Sequence, residues 1–176
     1  MYRYADKRAM DRKFDAAFAA INRDLTEREF YQILTLMLSE IGDGHSNAFL
    51  SRDFRNYINQ NVKMFPLKLR FLSGRAYVLT SSVQTVALGL ELLSINGRPV
   101  SQITKQVFRH LTSDGDIETG KFWKLNEQFG LYYYLFAEQP AKFRIVTYDR
   151  SKKSRKIIDI PALSYDLKRA STPKCA

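Results

Sequence analysis

The sequence predicts an α+β fold in which an amino-terminal helical pair precedes a small β domain with inserted helices. Two observations lead to this prediction. Through the first fifty residues, apolar side chains recur every three or four positions, as they do on one face of a helix. From about residue 65 onward, apolar residues alternate with polar ones or form short runs, as they do in strands. We therefore divide the chain into a helical segment, residues 1–58, a β domain, residues 59–165, and a polar tail, residues 166–176.

Two amphipathic stretches make up the helical segment. The apolar positions of the first stretch are Phe14, Phe18, Ile21 and Leu25. The second stretch begins at Thr26, which is expected to form a capping box with Glu29 because hydroxyl and carboxylate can satisfy the free backbone amides of a helix start. Its apolar stripe reaches Ile41 and ends at Gly42, a residue suited to terminate a helix. The following stretch, SRDFRNYINQN, is interpreted as a polar connection.

The β domain is expected to contain strands in FPLKLRFL, RAYVLTSSV and LELLSINGRPV, and a closing hairpin in FRIVTY and KIIDIPAL. Asn96-Gly97 predicts a two-residue hairpin turn. Between these strands, SQITKQVFRHL predicts a short helix, on which His110 is interpreted as a partly exposed surface residue. A longer amphipathic helix follows, and its aromatic residues, Trp123 among them, are interpreted as core or interface packing.

The positive charge is concentrated near the carboxyl end. The formal net charge is +10; residues 1–140 hold 18 basic and 15 acidic residues, a net of +3, and residues 141–176 hold 10 and 3, a net of +7. Much of the excess lies in DRSKKSRK between the two strands of the closing hairpin, where it favours a solvated turn. A phosphate-binding patch is the alternative, but no aromatic residue interrupts the basic run, so we expect no nucleic-acid partner.

Other composition features limit the classes of protein to consider. The single cysteine, Cys175, excludes an internal disulfide and a cysteine-rich zinc site. Two histidines and scattered carboxylates show no metal-ligand spacing, so neither a metal nor another cofactor is expected. No apolar run is long enough to span a bilayer, and no secretory signal is expected in this chain.

Two motifs carry a resemblance to a known family. The first is LTEREFYQILTLMLSEIGDGHS, and the second, about forty-five residues later, is GLELLSINGRPVSQI. In this order they resemble the amino-terminal half of the tail-specific, or C-terminal processing, serine peptidases in their tricorn-core-like branch, over about residues 10 to 163. In that branch a helical segment ends in a DGHT-like turn, here Asp43 to Ser46, and a PDZ-like domain follows. Leu90 stands where the family has an aspartate in its second motif.

The resemblance implies a role for His45. In the family the nucleophilic serine belongs to a later α/β core domain, which this sequence lacks, and the tricorn-like branch takes its catalytic histidine from the segment that His45 occupies. His45 is therefore the candidate general base toward a serine of that domain. The alternative is that His45 and Asp43 stabilise the turn, as they would if the base were a core-domain lysine, which other branches use.

The resemblance also implies a peptide groove in the PDZ-like domain, where an extended peptide would add to a strand edge beside a helix. By position, the candidate groove residues are Phe65, Leu67, Leu69 and Val107. The alternative is that these are ordinary core positions.

Together these inferences suggest the non-nucleophile part of a serine-type peptidase, inactive alone, that binds a peptide or unfolded protein and works with a downstream catalytic core domain. A stand-alone peptide-binding module is the alternative. The family resemblance suggests a periplasmic or exported parent protein, although the compartment of this chain is left open.

Overall fold

The elements follow one another in the predicted order, helices first and strands with inserted helices afterwards. In the computed structural model, which describes residues 6–164, the helices are α1 (Lys7–Ala19), α2 (Glu27–Ser39), α3 (Arg52–Asn61), α4 (Val100–Phe108) and α5 (Thr119–Phe136). The strands are β1 (Lys63–Met64), β2 (Leu67–Leu72), β3 (Arg75–Ser81), β4 (Glu91–Ile95), β5 (Arg98–Pro99), β6 (Lys142–Asp149), β7 (Ser154–Pro161) and β8 (Leu163–Ser164). The fold is α+β, as the sequence predicts. The predicted polar tail, with Cys175, lies outside the described residues.

The start of α2 has the predicted cap. The side chain of Thr26 accepts a hydrogen bond from the Glu29 amide, and the Glu29 carboxylate accepts one from the Thr26 amide at 2.9 Å. Arg23 also donates to that carboxylate, and the Arg23 bond is the largest cause that lowers the pKa of Glu29 to about 2. These bonds satisfy the free amides of the first turn and fix where α2 begins.

Two features of the helical segment differ from the expectation. The apolar stripe of α1 is only partly covered: α1 packs against α2 and Phe14 is half-buried, but Phe18 is 80% exposed and Ile21 lies beyond the end of the helix, exposed as well. The stretch expected to be a polar connection is instead α3, which Ser51 caps by accepting from the Phe54 amide at 3.0 Å. This helix forms because Ile58, fully buried, anchors a largely polar sequence to the core.

Strands β2, β3, β4, β6 and β7 form an antiparallel sheet in that order, with β5 paired to β4, and β1 pairs with β8 separately. The predicted turn between β4 and β5 is present, with positive φ at both Asn96 and Gly97. Asn96 also joins the hairpin to β6, because its backbone amide donates to the Arg144 carbonyl and its side chain accepts from the Arg144 amide. The predicted closing hairpin is β6 and β7, and its basic turn is exposed.

The hydrophobic core lies around α4, α5 and the sheet. Helix α5 packs against β2, and α4 packs against β3 and β4. Phe65 is at the centre of an aromatic cluster, with its ring 5.1 Å from that of Phe143 and 5.4 Å from that of Phe129. The division at residues 58 and 59 stays a prediction.

Candidate functional site

The turn that carries His45 is held together by Asp43. One carboxylate oxygen of Asp43 accepts the His45 backbone amide at 3.1 Å, and the other accepts the Ser46 hydroxyl at 2.6 Å. Its backbone carbonyl accepts the Ser46 amide at 3.2 Å. The Ser46 hydroxyl and then the His45 amide lower the pKa of the Asp43 carboxyl, so this carboxylate stays ionised and keeps the turn closed.

The same turn is attached to the loop between α4 and α5. The Gly44 amide donates to the Asp114 carboxylate at 2.9 Å, and the Gly115 amide donates to the Gly42 carbonyl at 2.9 Å. A Cβ atom at Gly44 would meet that carboxylate at 3.3 Å, so the close approach favours glycine here. Asn47 adds a further link, because its side-chain oxygen accepts the Thr112 hydroxyl at 2.7 Å. Two segments seventy residues apart therefore fix one turn.

The imidazole of His45 takes no part in these bonds. Its side chain is exposed, and in the described part of the chain it makes no hydrogen bond or ion pair. The turn is stabilised by hydrogen bonds of the side chains of Asp43, Ser46 and Asn47, whereas His45 contributes only its backbone amide. The turn thus presents a free imidazole to the outside.

The candidate groove residues are brought together, but in the core. Phe65, Leu67, Leu69 and Val107 are at most 3% exposed. Helix α5 lies along β2, where Asn126, through its side-chain oxygen, accepts the Phe71 backbone amide at 2.7 Å. In this conformation the four side chains pack as core residues and the edge of β2 is covered.

His110 is partly exposed, as the sequence predicts, whereas Trp123 lies outside the core of the described residues. His110 is half-buried; its ring is stacked on that of Phe136 at 4.2 Å and its Nδ1 lies 3.1 Å from the Thr35 hydroxyl. Burial is the main cause that lowers the pKa of His110 to about 4, with the neighbouring Arg109 second. Trp123 is 63% exposed instead of packed in the core. These contacts of His110 could not be predicted from the sequence, because Thr35 and Phe136 belong to distant helices.

Neither a cluster of metal ligands nor a membrane-spanning helix occurs among the described residues. Within residues 6–164, no group of three or more histidine, cysteine, aspartate or glutamate side chains is arranged to hold a metal ion. Over the same residues, no helix is both long and apolar enough to cross a bilayer.

Comparisons with known proteins give a structural likeness only. No family model matches the chain, and no curated protein matches its sequence. Solved structures that resemble it include those of CPAF, a chlamydial serine protease of the tail-specific-protease-like type. The chain shares the fold of part of CPAF. Mature CPAF superposes with a TM-score of 0.57 at 11% identity, and the match covers 86% of this chain and 28% of CPAF.

Two further CPAF structures give the same result. A serine-to-alanine mutant superposes with a TM-score of 0.56 at 12% identity, covering 90% of this chain and 30% of that one. Mature CPAF complexed with lactacystin superposes with a TM-score of 0.55 at 11% identity, and the match covers 86% of this chain and 28% of that one. This chain thus spans less than a third of CPAF. The likeness fits the C-terminal processing peptidases suggested by the sequence motifs, but it supports neither the tricorn-core-like branch nor the PDZ-like assignment.

Proposed function

We propose that this chain is the non-nucleophile portion of a serine-type peptidase and that His45 is its general base. The observation that carries the proposal is the exposed imidazole of His45 on a turn whose other polar groups bond to one another and to the α4–α5 loop. The likeness to part of CPAF supports the same reading at the level of the fold. The whole protein's substrate would be a peptide or an unfolded protein.

The proposal takes the nucleophile from a downstream core domain. Ser46 is unsuited to that role, because its hydroxyl already donates to Asp43 and it has no hydrogen bond to the His45 ring in the described structure. In the proposed mechanism, His45 accepts the proton of the core-domain serine as its oxygen attacks the peptide carbonyl. The resulting imidazolium then donates that proton to the leaving amine, and water hydrolyses the acyl-enzyme.

A fixed turn suits this role. A general base acts only within hydrogen-bond distance of the proton that it removes, and a displacement of about 1 Å lowers the rate on the order of a hundredfold. The bonds of Gly44 to Asp114 and of Gly115 to Gly42 hold the backbone of the turn against a second segment. The imidazole would thus meet the serine from a constrained position.

Replacing His45 tests the proposal in the full-length protein that contains this chain. We expect His45→Ala to lower kcat for a fluorescently labelled unfolded casein by about a hundredfold or more, because general bases typically contribute that much. KM and the melting temperature should change little, since the side chain is exposed and makes no bonds. Added imidazole should restore part of the activity.

Arg52→Ala is the matched control, since Arg52 is also exposed at the surface of the helical segment. It should leave kcat unchanged. A loss of less than tenfold in His45→Ala would assign the base to another residue and leave His45 without a catalytic role.

A second proposal is that the chain binds peptides through a PDZ-like groove, whether or not it takes part in catalysis. Such binding would require α5 to move. The edge of β2 opens only if α5 moves away, because Asn126 already occupies the Phe71 amide to which a peptide strand would bond. Peptides with a free carboxyl terminus should therefore bind more tightly to Asn126→Ala than to the native chain if this groove operates. Equal affinities would place peptide binding elsewhere.

A further inference from the structure

A cavity of about 440 Å³ lies between α2, the segment after the His45 turn, α3, the loop after α4, and α5. Its volume falls within the range typical of small-molecule sites. It is separate from the predicted groove, because none of the four groove residues lines it. Neither the proposed catalytic role of His45 nor the likeness to CPAF assigns it a ligand.

The inner wall of the cavity is apolar. Leu131 and Leu135 on α5 are 6% and 1% exposed, and Leu38 on α2 lies among the lining residues. The ring of Tyr31 also lines it and is stacked near Phe136, with its hydroxyl donating to the Ala48 carbonyl at 3.3 Å. This wall accommodates a hydrocarbon or aromatic body.

Lys124 supplies a positive charge that lacks a counter-ion. Its ammonium bonds only neutral oxygens, the side-chain oxygen of Asn47 at 3.2 Å, the Thr112 hydroxyl at 3.2 Å and the Thr112 carbonyl at 3.4 Å. Within residues 6–164 it forms no ion pair with a carboxylate. Burial is the main cause that lowers the pKa of Lys124, and the ammonium of Lys121 lowers it further. The protein therefore keeps a partly desolvated cation without its usual partner.

The other charged side chain in the lining is also positive. Arg55 also lines the cavity, and its guanidinium has no ion pair among the described residues. No aspartate or glutamate lines the cavity. His110 lines it as an uncharged ring at neutral pH. An anionic group in the cavity would therefore find Lys124 and Arg55 in the lining and no competing carboxylate.

We infer that this cavity binds a small amphipathic carboxylate, with its carboxylate at Lys124 and its apolar body against Leu38, Leu131 and Leu135. A carboxylate can accept a charge-assisted hydrogen bond from the Lys124 ammonium, and a neutral ligand of the same shape would bond to it more weakly. Such a group is found on a free fatty or aromatic acid and on the last residue of a peptide with an apolar side chain.

Calorimetric titration of the 176-residue chain with sodium octanoate tests the inference. Octanoate should bind at least tenfold more tightly than 1-octanol or octylammonium, which share its apolar body but lack the carboxylate. Lys124→Met should weaken octanoate binding at least tenfold, and Lys124→Arg should retain it. Ala48→Phe, which adds a ring to the lining, should reduce binding of all three probes.

Lys121→Met is the matched control, because Lys121 lies one turn earlier on α5, outside the cavity lining. It should bind octanoate as the native chain does, and melting curves should show that every variant is folded. Equal affinities for octanoate and octanol, or octanoate affinity unchanged in Lys124→Met, would overturn the inference.

A second pair of probes identifies the source of the carboxylate. Tighter binding of N-acetylphenylalaninate than of octanoate, with its amide binding weakly, would support the inference and assign the site to a peptide terminus. The opposite order would support it and assign the site to a free acid. The inference fails if neither carboxylate binds up to about 1 mM, a weak-ligand affinity.

Discussion

At the scale of single residues, the surroundings of His110 determine its charge. The ring lies flat against Phe136, with 5° between the two planes, and the Thr35 hydroxyl is near its Nδ1. If the His110 ring were protonated, its charge would lose hydration and be repelled by Arg109. No carboxylate among the described residues would pair with it. The folded chain therefore favours the neutral ring.

We predict that His110 titrates with a midpoint of about 4, below the ordinary pKa of 6.5. The unfolded chain takes up a proton as the pH falls below about 6.5, whereas the folded chain does so only near 4, so this group removes stability as the pH falls through that window. A proton NMR titration measures the midpoint, and His45→Ala assigns the signal because the chain has only two histidines. A midpoint near 6.5 would show that the ring is solvated.

The limits of sequence reasoning are visible at His45 and Asp114. The motif around residues 41–51 indicates that the histidine lies on a turn, because Gly42 is suited to follow the end of a helix and short polar residues come after it. It does not indicate that Asp114 accepts the Gly44 amide, since the two residues lie seventy positions apart and no local pattern connects them. The turn could be predicted from the sequence, but the Gly44–Asp114 hydrogen bond that fixes it could not.

At the scale of elements, α5 accounts for the covered edge of β2. An edge strand leaves backbone amides without partners, and natural proteins often cover such edges. Here α5 does so, with the Asn126 side chain accepting a backbone amide in place of a neighbouring strand. The helix has non-helical backbone angles at Gln128, φ −140° and ψ 41°, two residues after that contact.

Asn126→Ala should lower the free energy of unfolding by about 1 to 3 kcal/mol, because it leaves the buried Phe71 amide without an acceptor. Urea denaturation of the 176-residue chain measures the change. Asn61→Ala is the control; the Asn61 side chain bonds only locally to the Tyr57 carbonyl at an exposed position, so the loss should stay within about 0.5 kcal/mol. Equal losses would mean that the contact between α5 and β2 does not depend on Asn126.

Elements with strong local signals were predictable, and elements that depend on distant contacts were not. The capping box of α2 and the Asn96-Gly97 turn follow from local chemistry, and both are present. Helix α3 was missed because its sequence is largely polar, and its stability comes from burial of Ile58 against distant parts of the chain.

At the scale of the whole molecule, buried residues are distributed unevenly along the chain. The core involves α4, α5 and the sheet, whereas in α1 only Met10 is fully buried. The period of the apolar residues in α1 predicted the helix, but not whether its apolar face would be covered. The periodicity of the sequence shows that one face of a helix is apolar. Whether that face is buried depends on how the rest of the chain packs.

Two phenylalanine substitutions should separate these regions. Phe143→Ala should lower the free energy of unfolding by about 3 to 5 kcal/mol, because Phe143 is 2% exposed in the aromatic cluster. Phe18→Ala should change it by no more than about 0.5 kcal/mol, because Phe18 is 80% exposed. Urea denaturation of both variants gives the comparison. A large loss in Phe18→Ala would mean that the Phe18 side chain is buried in solution.

Asn47 belongs to two parts of the molecule at once. Its side-chain nitrogen donates to the Gly44 carbonyl in the His45 turn at 2.8 Å, and its side-chain oxygen accepts from Lys124 in the cavity. A carboxylate that draws Lys124 away from Asn47 would change the free energy of the turn. By thermodynamic linkage, a domain that fixes the turn would change the affinity for that carboxylate by the same factor. Ligand affinity and domain association would then be two measurements of one coupling free energy.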